Sequence, residues 1–76
     1  MKLAEISAGT HCLVQSAADQ NKELQSRLYA LGVYPGVKLD VLRFAPTGDP
    51  MQVRVGGTLI SIRKTEAEHI FVEVTQ

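Results

Sequence analysis

The sequence predicts a mainly β fold with one helix, rolled into a small, partly open barrel. Short runs in which apolar and polar residues alternate recur from residue 11 to residue 74, with turn residues between them. One segment, 20–31, instead repeats leucine at helical spacing. The length of 76 residues allows one domain, 1–76, with too little volume for a deep pocket.

Taken in order, Leu3 and Ile6 lie three apart and suggest one apolar-sided turn that closes at Ala8-Gly9. "THCLVQ" alternates loosely as a first strand, with Cys12 and Val14 on one face. Ser16 and Asp19 have the S-x-x-D spacing of a helix start, and Asp19 is itself a second N-cap candidate. Leu24, Leu28 and Leu31 then form a core-facing stripe at i, i+4 and i+7. Gly32 stands where a helix ends in a left-handed residue.

Pro35-Gly36 suits the centre of a type II turn. In "VKLDVLRF", Val37, Leu39 and Val41 make the core face of a strand. "FAPTGDP" reads as a turn: Ala45-Pro46-Thr47-Gly48 bends the chain, and Pro50 holds Asp49 extended. Gly56-Gly57 is a two-residue hairpin signal. Such a turn pairs Val55 with Thr58, Val53 with Ile60 and Met51 with Ile62, which puts the large aliphatics on one face. The same rule sets Val41 opposite Val53 and Asp40 across from Arg54, an expected ion pair. Thr65 to Glu68 has capping-box spacing for a single helical turn. "IFVEV" ends the pattern, with Ile70, Val72 and Val74 on one face. Strands this short, around one helix, are the makings of an SH3-like barrel.

Eight basic residues balance eight acidic ones, which argues against a nucleic-acid footprint. The one cysteine cannot form an internal disulfide and fits a reduced, cytoplasmic setting. Glu5 and Ser7 interrupt any signal-peptide core, and no run is long enough to span a membrane, so no direct membrane insertion is expected.

No residue set for catalysis or for a cofactor stands out. Ser61 and His69 lack a nucleophile elbow or an oriented base. Gly56-Gly57 has neither the lysine nor the helix of a phosphate loop. His11, Cys12, His69 and Asp49 are the metal-ligand candidates, but their spacing matches no structural site, and adjacent His11 and Cys12 point to opposite sides of a strand. We therefore expect no catalytic residues, no cofactor and no tight metal site. Among the arginines, strand parity turns Arg43 toward the core side and Arg54 and Arg63 outward, which weakens a basic-stripe reading.

The combination of "LGVYPG" after the leucine-striped helix, "VLRFAPTGDPMQV", "GG" and "ISIRKTEAEHIFVEV" resembles the FeoA family, from Leu3 to Val74. The resemblance implies an SH3-like fold and a cytoplasmic accessory role in ferrous iron uptake. It also implies a partner, the FeoB-type membrane transporter with its GTP-binding domain. A related module is fused to iron-dependent repressors, but no helix-turn-helix precedes it in this sequence. Two other readings stay open: a metal-responsive regulatory module, and a nucleic-acid-binding small barrel. Self-association is also expected to be open to so small a core.

One oddity marks a candidate working surface. Leu42 and Phe44 lie opposite the core face of their strand, Leu59 shares that outer face by the hairpin register, and Tyr34 leads into it. Either helix 20–31 lies across this face, or Tyr34, Leu42, Phe44 and Leu59 form an apolar patch that docks the transporter or a second copy.

Overall fold

The alternating runs do become strands. In the computed structural model, which describes residues 1–75, they are β1 (His11–Ala17), β2 (Lys38–Phe44), β3 (Met51–Val55), β4 (Thr58–Ile62) and β5 (Ile70–Val74). The helices are α1 (Lys22–Ala30) and α2 (Lys64–Ala67), and a 3₁₀ turn spans Leu3–Glu5. The strands form one antiparallel sheet in the order β4-β3-β2-β1-β5, curled into a partly open barrel.

The inner face is the core. Cys12, Val14, Leu39, Val41, Val53, Val55, Ile62, Ile70 and Val72 are buried on it, joined by Leu3, Ile6, Leu28 and Val33 from the connections. No polar or charged residue among those described is buried. Each large aliphatic fully withdrawn from water contributes about 1.5–3 kcal/mol, so this one cluster supplies most of the stabilisation.

The β3–β4 hairpin has the register that its two-glycine turn dictates: Val55 pairs with Thr58, Val53 with Ile60 and Met51 with Ile62. Val41 faces Val53 and Asp40 faces Arg54, also as read from the sequence. Two bulges bend the sheet. The β1–β5 register shifts between Val14 and Ser16, and the β2–β3 register shifts between Val41 and Arg43. An extra residue on one strand sharpens its twist, which lets so short a sheet curl. Val74, expected on the inner face, is exposed at the strand end.

Helix α1 is shorter than the expected 20–31, and its cap is neither Ser16 nor Asp19. Ser16 belongs to β1, and the Asn21 side chain accepts from the Leu24 N–H at 3.1 Å. Ala18, at φ +51°, turns the chain first, and the Asp19 carboxylate accepts from Gln25 Nε2 instead. The leucine stripe divides in the same way. Leu28 is buried and Leu24 half-buried, whereas Leu31, the C-cap, is exposed. Helix α2 begins two residues earlier than the Thr65–Glu68 box predicts. Its N-cap is Arg63, whose N–H donates to Glu66 Oε1 at 2.9 Å, while Glu68 is bonded to Lys2 Nζ at 3.2 Å.

"FAPTGDP" is a turn, and it is tied down. The Gly48 N–H donates to the Ala45 carbonyl at 2.7 Å, with Gly48 at φ +92° where a side chain would be strained. The Ala45 N–H donates to Pro50 O at 3.0 Å, and Asp49 Oδ1 accepts from the Lys64 N–H at 2.9 Å. Asp49 thereby fastens the loop to the start of α2. The Tyr34–Val37 turn closes with Gly36 at φ +94° and is stitched to β1 through the Gly36 N–H and the Val14 carbonyl, 2.8 Å apart.

Candidate interaction surface

The outer face of β2, β3 and β4 is built by the same alternation that builds the core. Lys38 and Asp40 on β2, Gln52 and Arg54 on β3, and Leu59 and Ser61 on β4 all point away from the buried side. Helix α1 does not cover them. It seats Leu28 in the core, and a Cβ at Gly32, just past its end, would lie 3.6 Å from Val55 Cγ1 on the inner face. Leu59 is accordingly 53% exposed.

The β2 bulge rearranges the expected patch. Val41 pairs with Val53, but Arg43 pairs with Gln52 and Phe44 with Met51, so Leu42 is the extra residue. Beyond it the parity of the strand is reversed. Arg43, expected on the core side, stands outward with Gln52. Phe44, expected outward, pairs with Met51 at the strand end, where it lines a small hollow of about 80 Å³ with Ala4, Gly48, Met51 and Lys64 and remains 36% exposed. Tyr34 packs edge-on against Tyr29 of α1, ring centroids 6.1 Å apart. Of the four residues proposed from the sequence, only Leu42 and Leu59 share the outer face. The signal was in the sequence: Val41-Leu42 is an adjacent apolar pair, and such a pair breaks strict alternation.

Electrostatics on this face also differ from the register-based expectation. Asp40 lies across from Arg54, yet its carboxylate meets His11, with Nδ1 and Oδ1 2.6 Å apart. Arg43 and Arg54 are exposed and take part in no ion pair among the described residues. Arg63 lies apart from them, at the cap of α2 and in the open cleft that Asn21, Glu23, Leu24, Arg27, Glu66 and His69 also line. Arg27 and Glu66 form an ion pair across that cleft.

The metal-ligand candidates are dispersed. His11 and Cys12 leave β1 on opposite sides, the first exposed and the second buried. Asp49 is engaged with α2, and His69 sits between α2 and β5. Among the described residues, no three His, Cys, Asp or Glu side chains gather as a metal site would require. Burial, and secondarily the Asp40 carboxylate, push the Cys12 thiol above its ordinary value, which keeps it a neutral core group rather than a nucleophile. Ser61 is exposed on the outer face of β4, while His69 belongs to the cleft.

A family model, the FeoA domain, matches residues 1–74. The chain belongs to the FeoA family. Its ferrous iron transport association follows from that membership. Solved FeoA structures agree. The FeoA protein of Chlorobium tepidum is 45% identical, with a TM-score of 0.89 covering 100% of this chain and 71% of that one. FeoA of Stenotrophomonas maltophilia, determined in complex with zinc and described as a prokaryotic SH3 domain protein, is 32% identical, with a TM-score of 0.82 over 96% and 89% of the two chains. A manganese-dependent transcriptional repressor shares only the fold, at 17% identity and a TM-score of 0.90, and this chain covers 36% of it. No curated protein sequence matches. The SH3-like barrel expected from short strands around one helix is thus the family's fold, and no helix in the described residues is long and apolar enough to cross a membrane.

Proposed function

We propose that this FeoA protein is a cytoplasmic accessory factor of ferrous iron uptake that works by contact with the cytosolic part of a FeoB-type transporter, and not as an enzyme. The observation that carries the reading is the family match along residues 1–74. Two features of the molecule support contact as the mode of action. The side chains that the sequence nominates for chemistry are dispersed or engaged in structural bonds, and one sheet face presents Leu59 and two arginines to solvent with Leu42 half-buried beside them. Ferrous iron is the transporter's cargo in this scheme.

A metal-responsive variant of the same role draws on the zinc complex of the Stenotrophomonas maltophilia relative. In this chain, His11 and Asp40 lie side by side, and a metal held there would need further ligands from elsewhere.

The test is uptake. Cells that depend on a FeoB-type transporter, given radioactive ferrous ion, should accumulate it faster when this chain is restored than when it is absent. Equal rates would overturn the proposal.

A further inference from the structure

Zero net charge conceals an uneven distribution. Outward on β2 and β3 stand Lys38, Arg43 and Arg54, against the single carboxylate of Asp40, which already bonds His11. Of the other basic residues, Lys2 holds Glu68 and Arg27 holds Glu66, while Lys22, Arg63 and Lys64 join no ion pair among the described residues but are not gathered on one sheet face. Arg43 belongs to the outer set because of the bulge at Leu42. Since Arg43 pairs with Gln52, it is the diagonal cross-strand neighbour of Arg54, about 7–8 Å away. Leu42 and Leu59 lie beside these arginines, Leu59 more than half exposed.

Two guanidinium groups at that spacing, each with unused donors and flanked by leucine, match one kind of ligand. Carboxylates one strand-repeat or one helical turn apart satisfy both forks, and an apolar side chain between them covers the leucines. A nucleic-acid backbone would use the cations but leave the leucines without a partner. A second copy of this chain would need a similarly acidic, apolar patch.

From this charge complementarity we infer that the outer face of β2–β4, centred on Leu42, Arg43, Arg54 and Leu59, docks an acidic segment of a partner protein that carries an apolar side chain between its carboxylates. The inference rests on the contact reading above and adds the surface and the chemistry of its occupant.

The test is a titration of the ¹⁵N-labelled protein, followed by its amide resonances, with a peptide of glutamates interrupted by leucines. A control peptide has lysines in place of the glutamates. The acidic peptide should move amides of Lys38, Leu42, Arg43, Gln52, Arg54 and Leu59, and raising salt should weaken it by about tenfold or more. The double variant Arg43→Glu, Arg54→Glu should keep its amide dispersion and lose binding. Equal binding of the lysine peptide, shifts centred elsewhere, or no saturable shift would each overturn the inference. Tighter binding on this face of anionic lipid vesicles, of an oligonucleotide, or of a second copy of the chain would overturn its choice of partner. The cytosolic domain of a FeoB-type transporter serves as a second titrant. Its binding at another surface refutes this face and leaves the contact reading intact. Peptide binding without domain binding refutes the contact reading and leaves the face.

Discussion

Leu28 and Leu31 read alike in the sequence, one leucine stripe with both members facing inward, and the structure separates them. Leu28 is 1% exposed and Leu31 is 42% exposed. Truncating Leu28 to alanine removes three carbons from a dry site, about 2.4 kcal/mol at about 0.8 kcal/mol per carbon. The cavity left behind raises the loss to about 3–4 kcal/mol. In a domain of this size each kcal/mol moves the melting temperature by about 4–8 °C, so a drop of about 12–32 °C is expected. Leu31→Ala removes the same atoms from a half-wet position beyond the last helical residue, and should cost under about 1 kcal/mol. Urea unfolding followed by circular dichroism measures both, with the midpoint shift at constant slope as the readout. Similar losses for the two variants would mean that α1 is rotated relative to the barrel, and the account of the uncovered outer face would fall with it.

Three further outcomes follow from single observations. Phe44→Asp should lower stability by about 1 kcal/mol, because the bulge turns that ring, still 36% exposed, toward Met51; an unchanged urea midpoint would show that β2 runs without the bulge. Asn21→Ala should cost about 1 kcal/mol through the lost cap, while Asp19→Ala changes the midpoint much less. For Cys12 the folded thiol titrates above its unfolded value, so its contribution is complete below about pH 8.5, the unfolded thiol range, and is lost as pH rises through the higher folded value. Melting scans across the alkaline range should therefore fall less steeply for Cys12→Ala than for the parent, and equal slopes would remove the thiol from the explanation.

What the sequence made legible was whatever local rules decide. The Gly56-Gly57 turn leaves one hairpin register that puts Met51, Val53 and Val55 on the same face as Ile60 and Ile62, and that register is the one found. Leu28 at mid-stripe and the Pro35-Gly36 turn are decided just as locally. Less visible was anything resting on competition between near-equal neighbours. Ser16, Asp19 and Asn21 all cap helices, and the choice fell to Asn21 because β1 extends through Ala17 and its curl consumes the intervening residues. Asp40 had two possible partners on the flanking strands, Arg54 and His11, and His11, on a strand whose pairing with β2 is long-range, took the carboxylate. The bulge at Leu42 mattered most. One extra residue reversed the faces of Arg43 and Phe44, so that arginine joins Leu42 and Leu59 on the outer face while Phe44 and Tyr34 stay exposed away from it.

The central claim is that this FeoA protein acts by touching the transporter. Calorimetric titration of the chain into the isolated cytosolic GTP-binding domain of a FeoB-type transporter tests it most directly. A saturable, stoichiometric heat of binding that weakens as salt is raised is expected. A flat titration at concentrations well above those in the cell, with both proteins folded, would contradict it.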